Sequence, residues 1–409
     1  MAIDRRGFLA ASAAGAALAG VAPLRALAAD PALGPSALPS GTLESAELAA
    51  LPGKVPLIKR SWRPPNFETP VSWFNHAFTP NDAFFVRYHL ANIPEVSGHD
   101  WRLDVGGEAA AKPFELTLAQ LRSEFEAVEV NALCICSGNR RGLSSPHVGG
   151  VQWGYGAMGN ARWRGVRLKD VLARAGVQKE ALEVVFDGAD GAVLDKTPDF
   201  VKSIPTWKAM DDNTLLAYEM NGAPLPHWNG YPLRVVVPGW TATYWIKHLT
   251  SIRAVREPER NFWMSTAYRI PKGKFALVDR FLSQETESNT PITEMVVNSL
   301  ITNLAQGQRF PAGATVEVQG VAWDGGLGIV AVDVSADGGR SWRPAELGPD
   351  LGRFAWRQWR YAIPAARPGS YTVMARATNR VGSSQTYELV FNPAGYHNNV
   401  VQRISIQVG

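Results

Sequence analysis

Cys134-Ile135-Cys136-Ser137-Gly138-Asn139-Arg140-Arg141 is the densest chemical stretch of this 409-residue chain, and it holds both of its cysteines. A Cys-x-Cys bridge closes a very strained ring, so a disulfide between the two is disfavoured even in an oxidising compartment. The pattern points instead to one cysteine packed in a core and the other, nearer a strand end, meeting a ligand. Gly138-Asn139 reads as a tight turn with exposed amides. With two arginines behind it, that turn makes an environment that favours a thiolate. The plainer alternative is a strand end with a buried cysteine and solvated arginines. Two cysteines are too few for a zinc or iron–sulfur site, and no Cys-x-x-Cys-His is present to attach a c-type haem.

Outward from this stretch, residues 72–285 read as short strands, turns and a few helices. Phe84 to Leu90 has the alternation of a strand, with Phe85, Arg87 and His89 on one face and Val86, Tyr88 and Leu90 on the other. Arg87 and His89 together invite an anion, although a lone strand histidine is more often structural. Leu116 to Phe125 and Leu168 to Ala175 have helical patterns. Leu182 to Phe186 and Leu233 to Val237 read as buried strands, and Thr214 to Met220 is ambiguous. Near 285, in the polar run Gln284 to Asn289, the texture changes. Val316/Val318, Val330/Val332/Val334 and Tyr371/Val373/Ala375/Ala377 alternate cleanly, separated by turns such as Asp337-Gly338-Gly339 and Arg367-Pro368-Gly369. Residues 286–409 therefore read as an antiparallel β-sandwich. The fold class expected for the whole chain is α+β, a mixed domain followed by that sandwich.

The first 28 residues read as a twin-arginine signal peptide: Arg5-Arg6, an apolar run to about Leu24, and Ala26-Leu27-Ala28 as a cleavage pattern. The run is only about 15 residues, short of the ~20 that span a bilayer, and no other stretch approaches that length. The expected location is the periplasm, by way of the twin-arginine export machinery, with no membrane span. That route often carries proteins with a cofactor already inserted. Residues 29–71, rich in Pro, Ala and Gly, read as an extended arm. Hydrophobic residues make up 46% and charged residues 19%, so the chain is globular rather than disordered. A formal charge of +4 without long Lys/Arg runs argues against nucleic acid as a partner.

Gly154-x-Gly156-x-x-Gly159 matches a dinucleotide fingerprint by letter, but no βαβ pattern surrounds it, and it reads as a loop. There is no phosphate-binding Walker loop, nucleophile elbow or His-Glu-x-x-His, so hydrolase readings lack support. A richer segment is Leu225-Pro226-His227-Trp228-Asn229-Gly230-Tyr231-Pro232-Leu233-Arg234, followed by Trp245-Ile246-Lys247-His248. Its polar donors Asn229, Arg234 and Lys247 flank a buried strand and suit a phosphate or a pterin.

Five segments in this order resemble the sulfite oxidase family of molybdenum enzymes. They are Phe84-Phe85-Val86-Arg87-Tyr88-His89-Leu90, Cys136-Ser137-Gly138-Asn139-Arg140-Arg141, Gly159-Asn160-Ala161-Arg162-Trp163, Leu216-Ala217-Tyr218-Glu219-Met220-Asn221-Gly222 and Pro232-Leu233-Arg234-Val235-Val236-Val237-Pro238-Gly239. The resemblance covers roughly 60–405 and implies a molybdopterin domain followed by an immunoglobulin-like domain. It is most similar to the molybdenum subunit of bacterial sulfite dehydrogenases, which pass electrons to a c-type cytochrome.

The resemblance implies a cofactor of molybdenum with molybdopterin, Cys136 as the metal's thiolate ligand, and Cys134 buried without such a role. It implies Arg87, His89, Arg141, Trp153 and Tyr268 around the substrate anion. Tyr88, His89, Asp190, Asn229, Arg234 and Trp245, Ile246, Lys247 would hold the pterin and its phosphate. Asn229 stands where many members have histidine, and Ala394 where animal members place a further substrate arginine. The implied reaction is two-electron oxidation of sulfite to sulfate, with a c-type cytochrome as acceptor. The rivals are a periplasmic molybdenum reductase, for example of sulfoxides, on the same core, a nitrate reductase core, and a cofactor-free exported binding protein.

Overall fold

The computed structural model describes residues 47–275, 283–364 and 367–409. The expected signal peptide lies outside them. Strands predominate. The longest helices among the described residues, Leu118–Glu124 and Leu168–Arg174, have seven residues each. The expected α+β class is thus corrected to a mostly β protein with few short helices. No helix among the described residues is long and apolar enough to cross a membrane.

Three sheets build the N-terminal part. The strands Leu48–Ala49, Leu57–Ser61, Asn66–Glu68 and Val86–Arg87 form the first, in that order. The segment expected as an extended arm is extended from Leu48 onward as strands paired in this sheet. Leu51, Leu57 and Phe67 pack there against Val86 and Tyr88. The second sheet runs Lys202–Pro205, Glu183–Gly188, Leu249–Val255, Arg102–Gly106, Phe114–Thr117, with one parallel pair in its middle. The third joins Ala127–Ile135, Met158–Arg167 and Leu215–Met220, and Arg234–Val236 pairs onto the last of these.

Two expectations shift. The helical pattern from Leu116 starts later: Phe114–Thr117 is a strand, and the helix begins at Leu118 because Thr117 and Gln120 form a reciprocal capping box. The strand expected over Phe84 to Leu90 shrinks to Val86–Arg87. Beyond it the chain turns away, with Tyr88 N bonded to Pro65 O and Asn92 bridged to Gly191. The ambiguous run settles as the strand Leu215–Met220.

In the C-terminal part, one sheet orders Asn298–Ile301, Thr315–Trp323, Arg357–Pro364 and Glu346–Leu347. The other orders Arg309–Phe310, Arg403–Val408, Gly369–Asn379, Ile329–Ser335 and Arg343–Pro344. The alternating valines 316, 318, 332, 334 and 373 meet in one core between them. A separate apolar cluster joins the two halves of the chain. It packs Phe74, Leu133, Ile135 and Met158 against Met295, Leu300, Val321 and Trp323. Beside it Arg140, fully buried, donates to Val400 O (3.0 Å) and Ser299 O (2.6 Å). The end of the Cys136 strand is thus anchored on the C-terminal half.

The glycine fingerprint has a packing explanation. A Cβ on Gly156 would lie 2.1 Å from Thr69 O, and one on Gly159 would lie 2.5 Å from the Phe84 ring. The amides of Gly154 and Gly156 donate to the buried Glu68 carboxylate at 2.7 and 2.9 Å, and Arg60 pairs with that carboxylate. The loop holds a side chain of its own protein where a fingerprint loop would hold a phosphate.

Candidate active site

The strand Ala127–Ile135 delivers Cys134 and Cys136 to the floor of a cleft of about 620 Å³, its open mouth included. Their two-residue spacing puts both on one side, and both are free thiols. Cys134 is buried, and burial pushes its thiol up to about 11, so it stays protonated at neutral pH. Cys136 is half-buried where the strand ends. Its N–H donates to Ala157 O (2.9 Å), and its carbonyl accepts Asn139 N–H (2.9 Å), closing the turn expected there. Of the turn's amides, that of Asn139 closes the turn; beyond it, Arg140 N bonds Gly154 O and Arg141 N bonds Gly138 O. Arg140 points away, into the contact between the two halves.

One wall is cationic. Arg234 donates to Asn229 O (2.9 Å) and Trp245 O (3.1 Å), and its Nε is buried without a partner. Lys247 Nζ donates to Arg87 O and the adjoining Lys202 Nζ to Trp263 O, both at 2.6 Å. Among the described residues no carboxylate forms an ion pair with Arg87, Lys202, Arg234 or Lys247. Burial therefore pushes Lys202 and Lys247 down to about 7 and lowers Arg234. Buried cations without a carboxylate partner stand ready for an anion. Asp190 is the one carboxylate lining the cleft, and burial raises its pKa. Thr243 Oγ1, also on the wall, is buried without a partner.

The mouth is aromatic. His89 stacks on Phe200, with centroids 3.5 Å apart at 11°. Tyr268 reaches across with its hydroxyl bonded to His89 Nε2 and, at 3.3 Å, to Arg87 Nη2. Burial, reinforced by Arg87, Lys247 and Lys202, holds His89 well below the usual imidazole value, so it is neutral at pH 7. Burial likewise raises the Tyr268 phenol, which keeps its proton.

The cleft gathers Arg87, His89, Cys136, Asp190, Asn229, Arg234, Trp245, Ile246, Lys247 and Tyr268. Three expected residues stand off its wall. Tyr88 follows the strand's alternation: it faces the N-terminal sheet and bonds His248 Nε2 through its hydroxyl (2.7 Å). Arg141 is turned to Ala394 O (2.8 Å) and Val151 O (3.2 Å). Trp153 is fully buried in the loop behind, its indole N–H unpartnered.

Sequence reasoning missed other members of the site. Phe200, Ser137 and Thr243 line the cleft. Thr243 was reachable by extending the Trp245–Lys247 segment two residues back. Lys54 donates to Asn229 Oδ1 (2.6 Å), Asn81 O (2.6 Å) and Phe84 O (3.0 Å), while Asn229 Nδ2 donates to Phe85 O (3.0 Å). The asparagine amide is thus pinned at both ends, by the Phe85 carbonyl and by a lysine 175 residues away that carries no local signal.

Comparison with known proteins bears on this cleft. Residues 89–263 match the family model of the oxidoreductase molybdopterin binding domain, and residues 289–409 that of the Mo-co oxidoreductase dimerisation domain. The chain is 34% identical over 373 residues to the mitochondrial sulfite oxidase of Homo sapiens, covering 87% of this chain and 67% of the human protein. It is 36% identical to the sulfite oxidase of Gallus gallus, over 78% of this chain and 70% of that one. The nitrate reductase of Hordeum vulgare is 30% identical, but only 41% of its length is covered. The chain thus spans about two thirds of the sulfite oxidases. Among solved structures, the sulfane dehydrogenase SoxCD from Paracoccus pantotrophus superposes with a TM-score of 0.71 at 25% identity, covering 90% of each chain.

The residues present suit that cofactor. A pterin phosphate answers the unpaired Arg234 Nε, the depressed Lys247 and the orphaned Thr243 hydroxyl. The half-buried Cys136 offers a soft ligand at the floor. With its sulfite oxidase relatives and its matches to both domain models, the chain belongs to the sulfite oxidase family of molybdenum–molybdopterin oxidoreductases.

Proposed function

We propose that this protein is a periplasmic sulfite dehydrogenase that oxidises sulfite to sulfate and passes the electrons to a c-type cytochrome. The observation that carries the reading is the cleft in which Arg87, Arg234 and Lys247 face a single carboxylate, with Cys136 on its floor. In this reading Cys136 is the thiolate ligand of the metal. Arg234, Lys247, Asn229, Asp190, Trp245 and Ile246 hold the pterin and its phosphate, and Tyr88 supports that wall from behind. The C-terminal sandwich is read as immunoglobulin-like, and the N-terminal segment as the export signal.

The overall change takes sulfite and water to sulfate, two protons and two electrons. The cofactor, when bound, supplies the two-electron redox chemistry and oxygen transfer. The chain's own residues position and neutralise. Arg87 presents a planar fork to the oxyanion. Tyr268, oriented by neutral His89, donates its hydroxyl hydrogen bond towards the same anion. Arg141 and Trp153 act from the layer behind. Phe200 and the aromatic mouth exclude water around the bound anion, which strengthens each of these interactions.

The test is turnover by purified protein, exported with its own leader from a cofactor-competent host, with sulfite, nitrate and a sulfoxide. Sulfite-dependent reduction of cytochrome c supports the reading. Nitrate or sulfoxide reduction without sulfite oxidation replaces it with a reductase on the same core.

A further inference from the structure

Tyr268 is held in a backbone conformation that its own residue type disfavours. Its φ is +57°, the left-handed region, which a bulky non-glycine side chain adopts only where its surroundings over-determine it. From the main chain, Tyr268 O accepts Ile292 N–H (2.8 Å). At the ring, Tyr268 stacks in an offset, near-parallel arrangement on Tyr396, with centroids 5.6 Å apart and planes within 10°. Tyr396 belongs to the C-terminal half and is only 6% exposed. It is itself fixed from three directions. Asn392 Oδ1 accepts its N–H (3.0 Å), Asn392 Nδ2 donates to its carbonyl (2.8 Å), and the Arg141 guanidinium carbon sits 5.3 Å from its ring centre. Arg141 is locked in that position by Ala394 O. The small residue at 394 and the left-handed Gly395 (φ +61°) leave the space that Arg141 occupies: a Cβ on Gly395 would lie 2.9 Å from Arg141 Cγ.

We propose that Tyr396 is a positioning residue of the active site. Sandwiched between Arg141 and Tyr268, it holds the Tyr268 ring so that its hydroxyl meets His89 and Arg87 at the mouth of the cleft. The C-terminal half therefore supplies part of the site, in addition to the dimerisation its family model names. The stack also shows what Arg141 does off the wall: its guanidinium packs on the Tyr396 ring. This inference rests on the sulfite reading only for its kinetic test.

The experiment compares Tyr396→Leu and Tyr396→Phe with the wild type. Phenylalanine keeps the flat ring and leucine removes it. An aromatic stack of this kind is worth roughly a tenfold effect. The Leu variant should therefore lose about tenfold in kcat/KM for sulfite with molybdenum content unchanged, and the Phe variant should stay within about threefold of wild type. Independently of turnover, a crystal structure of the Leu variant should show the Tyr268 hydroxyl withdrawn from His89 Nε2 and Arg87. Tyr268 unmoved in that structure overturns the proposal whatever the activity. Should the Leu variant not fold, Tyr396→Met makes the same comparison. A wild type inactive on sulfite counts against the proposed reaction and leaves the structural arm decisive for Tyr396.

Discussion

Replacing Arg87 by methionine keeps most of the side chain's length and removes its fork. The structure allows the loss to be apportioned. Towards the protein, Arg87 makes long contacts, 3.4 Å to Asn66 Oδ1 and 3.3 Å to the Tyr268 hydroxyl, besides one to the Tyr88 carbonyl. The tyrosine retains its bond to His89 without Arg87, so the perturbation at Tyr268 is small. Towards a bound oxyanion, a charge-assisted hydrogen bond is worth about 1.5–3 kcal/mol. At about 1.4 kcal/mol per factor of ten, Arg87→Met should raise the sulfite KM roughly 10- to 150-fold. The same argument limits the fall in kcat to about fivefold, because that bond serves bound substrate and transition state alike. The assay is steady-state sulfite oxidation with ferricyanide, which bypasses docking of a protein acceptor, at fixed ionic strength because exposed charges are screened by salt. Arg87→Lys, with charge but no fork, should fall between. A KM within about threefold of wild type together with a large loss of kcat would refute the reasoning and move Arg87 from binding to the chemical step.

Glu68→Gln should destabilise the N-terminal half by about 2–4 kcal/mol, since it leaves a buried glycine amide and Arg60 without their anion. Urea unfolding measures this, and an unchanged midpoint would mean that the carboxylate is not holding the loop. Cys134→Ala should retain sulfite turnover, because that thiol is protonated and buried, whereas Cys136→Ser should abolish it in a folded protein by circular dichroism. In cofactor-free protein, the buried Lys202 sits at about 7, so between about pH 7 and the ordinary lysine value of ~10.4 the unfolded chain binds protons that the folded chain does not. Its contribution to stability therefore rises with pH across that window. Lys202→Met should flatten the slope of the urea midpoint between pH 7 and 9, and a slope identical to wild type contradicts the burial argument.

Local pattern carried much of this protein. The valine alternation of the C-terminal half needs only neighbours two residues apart, and it entered one core except at Val330, which is exposed. The period of two also sorted Arg87 and His89 from Tyr88. Resemblance placed Tyr88 beside His89 at the cofactor, yet the structure follows the alternation and turns Tyr88 away. What the sequence concealed is long-range. The buried Lys54 reaches Asn229, and Arg140 reaches the carbonyls of Ser299 and Val400. No local signal distinguishes such residues from solvated cations. Arg140-Arg141 read as a charge pair beside Cys136, but tertiary contacts spend one on the seam between the halves and the other on the Tyr396 stack. The strand at Phe84 shortened for a related reason: its partner, Asn66–Glu68, is itself only three residues long.

The central claim is that Cys136 stands on the floor of a molybdopterin cleft that oxidises sulfite. Its most direct measurement is the molybdenum content of the full chain expressed in a cofactor-competent host, read together with sulfite-driven reduction of cytochrome c. The account predicts about one molybdenum per chain and sulfite-dependent reduction, both tied to an intact Cys136. Protein that is folded and carries no molybdenum, or a Cys136→Ser variant that turns over sulfite at the wild-type rate, would contradict it.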